Sequence, residues 1–331
     1  MPSAKEKPME ELLKKLPPVL AEEIWRACRE TGAGESPSEP EEIHLTAGRP
    51  VRLKEAGRER ALSYVVSQPE LERIFAGLLE HSVYARQEEL SKGFLTLRGG
   101  NRVGVCGRTV LENGTVHTVR ELSSLNLRRA KAFPGMAAGI APALLAPGGR
   151  PYSTLIVSPP GCGKTTLLRD LIRCFSEAGF RVGLCDERSE VAGSWRGIPS
   201  FDVGPSTDVL DGCPKGEGMV MLLRSMGPDI IAADEIGREE DLAAAETILC
   251  AGVSLLVTLH GSGYEDALRS RIGPLVRQGG FQRILVLSNR PAIGTVSGIL
   301  NGDGQPADWR GRLITPAPEH AGAGMQERGC L

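Results

Sequence analysis

The segment Ser158-Pro159-Pro160-Gly161-Cys162-Gly163-Lys164-Thr165-Thr166 carries the residue types needed to hold a nucleoside triphosphate. Glycines let backbone N–H groups turn toward phosphate oxygens, and a helix N-terminus adds partial positive charge where the anion sits. In such a loop Lys164 reaches the β and γ phosphates and the Thr165 hydroxyl ligates magnesium, so the implied cofactors are ATP and Mg2+. The loop departs from the common motif at its first position, where Ser158 replaces glycine, and Pro159 and Pro160 stiffen the turn instead. Further along, Asp234 and Glu235 close an apolar run. An Asp placed near the loop threonine is the second holder of the metal, and the adjacent Glu can polarise the attacking water. The same pair would also suit the first turn of a helix.

Asp186, Glu187 and Glu190 form a second acidic cluster. Its carboxylates either lie near the metal-bound water or belong to a solvated loop, since surface carboxylates are common. His260, followed by Gly261-Ser262-Gly263, is either a satisfied structural histidine or a sensor of the γ-phosphate. Cys162 sits inside the phosphate loop, where its oxidation would obstruct nucleotide.

These groups share a position. Each follows a short apolar run: Thr154-Leu155-Ile156-Val157, Val182-Gly183-Leu184-Cys185, Ile230-Ile231-Ala232-Ala233 and Leu255-Leu256-Val257-Thr258-Leu259. Runs of this length read as buried parallel strands. Ligands of an open α/β sheet sit beyond the carboxyl ends of its strands, so all four polar groups should meet on one edge. After the loop, Leu167, Leu168, Leu171, Ile172 and Phe175 recur on one face at helical spacing. The expected fold is α/β, a RecA-like P-loop NTPase domain over 152–302 with a smaller α+β domain before it.

That smaller domain is expected over 41–133, with strands at 43–53 and 94–111 and a helix at 69–80. Ahead of it, 1–40 reads as an amphipathic helical segment, broken at Pro17-Pro18, and a polar linker. Residues 134–151 read as a Pro/Gly-rich linker, 283–288 and 295–300 as the last strands, and 303–331 as a mobile tail. Hydrophobic residues make up 41% and charged residues 24% of the 331-residue chain, an ordinary globular balance. A formal net charge of -2 supplies no general attraction to nucleic acid. The eight cysteines include no CxxC pair and read as reduced thiols of a cytoplasmic protein. No signal peptide or membrane span is legible, so any membrane association is expected through a partner.

From about Glu41 to Leu300 the chain resembles the stage III sporulation AA family of spore-forming bacteria, a branch of the secretion-ATPase superfamily that includes type II and type IV secretion and pilus motors. The resemblance rests on Gly48-Arg49-Pro50-Val51, Asn101-Arg102-Val103-Gly104-Val105, Ser123-Ser124-Leu125-Asn126-Leu127-Arg128 and Ser158 through Asp170. It also rests on Asp186-Glu187-Arg188-Ser189-Glu190, Thr207-Asp208-Val209-Leu210-Asp211, Asp234 through Glu240 and Leu259-His260-Gly261. It implies a hexameric ATPase of the mother cell, docked on membrane proteins of the stage III sporulation AB type, whose hydrolysis drives transport or assembly between mother cell and forespore. It also implies that Asp186 and Glu187 are the family's acidic box and that His260 is its histidine box. An arginine acting on a neighbouring subunit's nucleotide is expected among Arg188 and Arg224 of the nucleotide segment or Arg102, Arg108, Arg120 and Arg128 of the N-terminal domain. Arg102 and Arg128 are preferred because related motors bring that domain against the nucleotide, and the alternative is that they form ordinary salt bridges. Two other readings share this fold. One is a nucleic-acid-dependent or RNA-binding ATPase, against which stands an aromatic content of 4% that leaves few stacking platforms. The other is a nucleotide-gated ring with little turnover.

Overall fold

Alternation of apolar and polar residues builds the first half of the chain, and unbroken apolar runs build the second. The computed structural model describes residues 12–31, 39–55, 58–79 and 86–307. They form two compact units, one of residues up to Lys131 together with Gly193–Ser200, the other from Ala132 to Ala192 and from Phe201 onward.

In the first unit, helix α1 (Pro18–Thr31) is followed by strands β1 (Glu42–Thr46), β2 (Pro50–Glu55) and β3 (Arg58–Val65). Helices α2 (Gln68–Leu78) and α3 (Gln87–Ser91) then lead to β4 (Phe94–Thr96), β5 (Arg102–Glu112) and β6 (Thr115–Arg128). The strands make one antiparallel sheet in the order β3-β2-β1-β6-β5-β4. One face carries Ile43, Leu45, Val51, Leu53, Val103, Leu125 and Leu127 into a core closed by Leu20 and Ile24 of α1 and Leu71 and Ile74 of α2.

The structure revises several details of this unit. Residues 12–13 are helical, 14–17 interrupt the segment as Pro17-Pro18 suggested, and Pro18 opens α1, where the first turn does not use the N–H that proline lacks. The strand expected at 43–53 is two strands joined at Gly48, whose φ of 71 turns the chain, and the one expected at 94–111 is β4 and β5. Strands β3 and β6 were not expected. A sequence signal for β6 exists nonetheless: Asn113-Gly114 adopts φ 50 and 79, the two positive values that a tight hairpin turn needs.

The second unit begins with the stretch expected to be a linker. Residues 134–151 instead pack Met136, Ala137, Ile140, Ala141 and Leu144 into the core. Asp170 holds them there by accepting the backbone N–H of Gly135 at 3.1 Å and of Ala137 at 2.7 Å. Next come β7 (Thr154–Ser158), α4 (Lys164–Glu177), β8 (Val182–Asp186), β9 (Thr207–Asp211), α5 (Lys215–Met226), β10 (Ile230–Ala233) and α6 (Glu239–Cys250). Strand β11 (Ser254–His260), helices α7 (Tyr264–Arg269) and α8 (Gly273–Arg277), β12 (Arg283–Ser288) and β13 (Thr295–Asn301) complete it.

The sheet order is β13-β12-β7-β11-β10-β8-β9, parallel except for the β12/β13 hairpin. Successive side chains of a strand point to opposite faces, and both faces are covered: Ile156 and Leu184 meet α4 on one side, while Leu155, Val157 and Ile231 meet Met219 of α5 and Ala245 of α6 on the other. Of the expected tail, 308–331 lies outside the described residues, as do 1–11 and 32–38 of the N-terminal segment. Among the described residues, no helix is long and apolar enough to cross a membrane.

Candidate active site

Between β7 and α4 the chain makes a tight loop whose backbone only glycine accepts easily. Gly161 and Gly163 take φ of 73 and 87, and Gly163 is the N-cap of α4. A Cβ at Gly163 would also come within 3.4 Å of the Gly294 backbone. Helix α4 buries Leu167, Leu168, Leu171, Ile172 and Phe175, the face expected from the sequence. Ser158 is fully buried, and its carbonyl accepts the N–H of Gly261 at 3.2 Å, tying the loop to the end of β11. Pro159 is half-buried, Pro160 exposed and Thr166 half-buried. Cys162 turns inward and is 2% exposed, so its thiol lines the core rather than the phosphate path.

The strand ends and the start of α4 bring six polar side chains together. Thr165 Oγ1 donates to Asp234 Oδ2 at 2.7 Å. Thr258 Oγ1 donates to the other oxygen of Asp234 and accepts the backbone N–H of Glu235 at 2.9 Å. Glu235 has a left-handed backbone, φ 47, and its Oε1 lies 2.5 Å from His260 Nε2 and 3.9 Å from Lys164 Nζ. Lys164 Nζ in turn lies 2.9 Å from His260 Nδ1 and 3.4 Å from the Ser158 carbonyl. An ammonium can only donate, so Nδ1 accepts and the imidazole proton sits on Nε2, facing the Glu235 carboxylate. Burial pulls the Lys164 ammonium below its usual range, against the opposing charges of Glu235 and Asp234. A cation held this way, with its side chain 5% exposed, is poised for a denser negative charge than its present partners supply.

The other acidic cluster is built differently. Asp186, at the end of β8, is 2% exposed, and its two oxygens accept the N–H groups of Glu190 at 2.9 Å, Val191 at 3.0 Å and Ala192 at 2.8 Å. Burial pushes its carboxyl up to about 6, against the pull of these backbone donors. From the opposite side Arg169 of α4 donates to the carbonyls of Val191 and Glu190 and lies over the Phe201 ring at 3.6 Å. Asp186 therefore shapes the loop after β8, with both carboxylate oxygens occupied by backbone donors. Glu187 is likewise committed, to Lys215 at 3.1 Å and Arg238 at 3.2 Å. Both residues, with Asp234 and Glu235, line one cleft.

A family model described as Sporulation stage III, protein AA matches residues 11–306. The chain belongs to this family. Stage III sporulation protein AA of Bacillus subtilis (strain 168) is 43% identical over 272 residues, spanning 80% of this chain and 88% of that protein. Among solved structures, the ATPase DotB of Legionella pneumophila matches with a TM-score of 0.53 at 17% identity, over 86% of this chain and 78% of its own. The pilus retraction motor PilT, solved with bound ADP, matches with a TM-score of 0.53 at 17% identity, over 80% of this chain and 76% of its own. At these identities the likeness concerns the fold, which is α/β: a RecA-like P-loop NTPase domain with a smaller α+β N-terminal domain.

The two arginines preferred for action on a neighbour's nucleotide, Arg102 and Arg128, lie in the N-terminal sheet of this family member, as direct cross-strand partners on β5 and β6. Arg102 lies 3.7 Å from the centre of the Phe94 ring, and Arg128 Nε is 3.8 Å from Glu42. Three residues of the nucleotide unit escaped the sequence reading: Thr258, Arg169 and Lys215. For Thr258 a signal was present, since a hydroxyl inside the run Leu255-Leu256-Val257-Thr258-Leu259 must find a partner when buried.

Proposed function

We propose that this protein is a magnesium-dependent ATPase working as a homo-hexameric ring. The observation that carries the proposal is the single hydrogen-bonded chain joining Lys164, His260, Glu235, Thr258, Asp234 and Thr165 at the carboxyl edge of a parallel sheet. The inward-turned loop 158–166 receives the phosphates, and Lys164 exchanges His260 for the β and γ oxygens. Thr165 and Asp234 are hard oxygen donors 2.7 Å apart, which suits an ion that keeps most of its waters and takes one or two protein ligands. When bound, Mg2+ neutralises charge on the phosphate oxygens. Glu235 accepts the proton of the attacking water, and His260, freed from Lys164, keeps its Nε2–H on that carboxylate and reports on the γ-phosphate.

In the ring, Arg102 and Arg128 complete the site of the adjacent subunit. Their cross-strand pairing concentrates two cations on one spot of the N-terminal sheet, which supports this assignment. Family membership supports a role in the mother cell, docked on membrane proteins of the stage III sporulation AB type and energising transport or assembly across the envelope. Steady-state ATP hydrolysis with Mg2+ tests the core of the proposal, measured for wild type and Glu235→Gln with and without candidate partner domains, RNA and DNA. Turnover above the Glu235→Gln level is expected. Tight ATP binding with no turnover under any condition would favour the nucleotide-gated ring, and stimulation by RNA or DNA the nucleic-acid motor.

A further inference from the structure

Lys215 stands where helix electrostatics disfavour it. It is the first residue of α5, and the N-terminal turn of a helix carries partial positive charge that favours anions rather than an ammonium. Its side chain is nonetheless 12% exposed and directed at two oxygens: Glu187 Oε2 at 3.1 Å and the backbone carbonyl of Glu235 at 3.2 Å. Two glycines allow α5 this close. A Cβ at Gly216 would meet the Glu240 carbonyl oxygen at 2.7 Å, and one at Gly218 would meet Cys185 Sγ at 2.5 Å.

The carbonyl that Lys215 holds belongs to a residue under backbone strain. A non-glycine residue in the left-handed region costs on the order of 1–3 kcal/mol and persists only when its surroundings enforce it. For Glu235, φ 47, the enforcement comes from both sides. Thr258 takes the N–H at 2.9 Å, and Lys215 donates to the C=O at 3.2 Å. Glu187 holds Lys215 in place and is itself held by Arg238.

We infer that Lys215, anchored by Glu187, is a positioning residue that fixes the backbone of Glu235 and so aims the carboxylate. The inference rests on the role proposed above for Glu235. It also gives Glu187 a task that requires no contact with nucleotide or metal.

The test uses the full-length protein and the variants Lys215→Met, which keeps the stem without the donor, and Glu187→Gln. In Lys215→Met, kcat is expected to fall about tenfold or more, because a small misplacement of a catalytic group is costly. The Kd for a non-hydrolysable ATP analogue should stay within about twofold of wild type, since neither atom contacted by Lys215 is assigned to the nucleotide. Independently of turnover, amide hydrogen exchange in a peptide covering 234–238 should speed up, as the Glu235 and Ile236 amides lose their fixed partners on Thr258.

Glu187→Gln should shift kcat and exchange in the same direction by a smaller factor, and it serves as the measurement if Lys215→Met does not fold. Wild-type exchange in the variant measured would overturn the inference, as would a loss of nucleotide affinity equal to the loss of kcat. Absence of turnover in the wild type would instead strike the ATPase proposal, and the exchange data would still decide the role of Lys215.

Discussion

Two Asp-Glu pairs stand on neighbouring strands of the same sheet edge, Asp186-Glu187 after β8 and Asp234-Glu235 after β10. Both follow fully buried apolar strands, yet their carboxylates have opposite commitments. Asp186 is sealed in by three backbone N–H groups, and Glu187 by two cations. Asp234 is bonded by the side-chain hydroxyls of Thr165 and Thr258, and Glu235 remains 40% exposed beside His260. A backbone N–H cannot leave its acceptor without moving the chain, whereas a hydroxyl can rotate and offer a lone pair to a cation instead. On this edge the availability of each carboxylate thus follows from what occupies its oxygens, not from the acidity of the motif.

The comparison fails at once if the phosphate loop lies outside the site, so the largest expected effect is that of Lys164→Ala. Removing the ammonium that lies 3.9 Å from the Glu235 carboxylate should abolish hydrolysis and weaken binding of a fluorescent ATP analogue by at least about tenfold. An unchanged titration curve with unchanged turnover would detach the loop from the chemistry. Next comes the contrast between the two glutamates. Glu235→Gln should retain nucleotide and lose about 100-fold or more in kcat, the range expected for a general base. Glu187→Gln should lose less than about tenfold, because it disturbs the geometry only through Lys215. Equal losses in a side-by-side rate measurement would erase the distinction between the two pairs.

A mixing experiment sharpens the same contrast between subunits. Glu235→Gln subunits and Arg102→Ala or Arg128→Ala subunits should each be inactive, and mixing them should restore part of the wild-type turnover if the arginines act across an interface. No recovery at any ratio, with subunit exchange confirmed by labelling, would place the required cation elsewhere; Arg188 and Arg224 are exposed candidates on the nucleotide unit.

What could be read in advance was whatever depends on local pattern. The apolar runs before Ser158, Asp186, Asp234 and His260 did become adjacent parallel strands, because a strand buried on both faces must be apolar throughout. The face of α4 was legible from its spacing for a similar reason. The antiparallel sheet was less legible, since half of its positions face outward and the exposed residues of β6 resemble those of a loop. Nor could the division of labour between the acidic pairs be read, because it depends on partners distant in sequence: Lys215 for Glu187, Thr258 for Asp234 and Glu235, and Arg169 for the loop that Asp186 shapes. Residues 134–151 misled for a related reason. Their Pro and Gly content suggested a free connection, but the segment packs apolar side chains into the core and is tied to Asp170, neither of which a composition argument sees.

The smallest expected signal is a slope in stability rather than a loss of activity, and it bears on the sealed member of the comparison. Burial raises the Asp186 carboxyl from 3.8 to about 6. Below about pH 4 the group is neutral both folded and unfolded. Between about pH 4 and 6 the unfolded chain has released this proton while the folded protein still holds it, so raising the pH favours unfolding. Above about pH 6 both states are ionised and the penalty is constant. Other carboxylates titrate in the same window, and those of Glu23, Glu42 and Asp229 are held below their usual range, which gives the opposite slope. The useful quantity is therefore the stability of wild type minus that of Asp186→Asn, measured by denaturant unfolding at several pH values. That difference should fall as pH rises from about 4 to about 6 and then level off. A difference that rises across this window would mean that the three backbone donors outweigh burial and that Asp186 is a stabilising anion throughout.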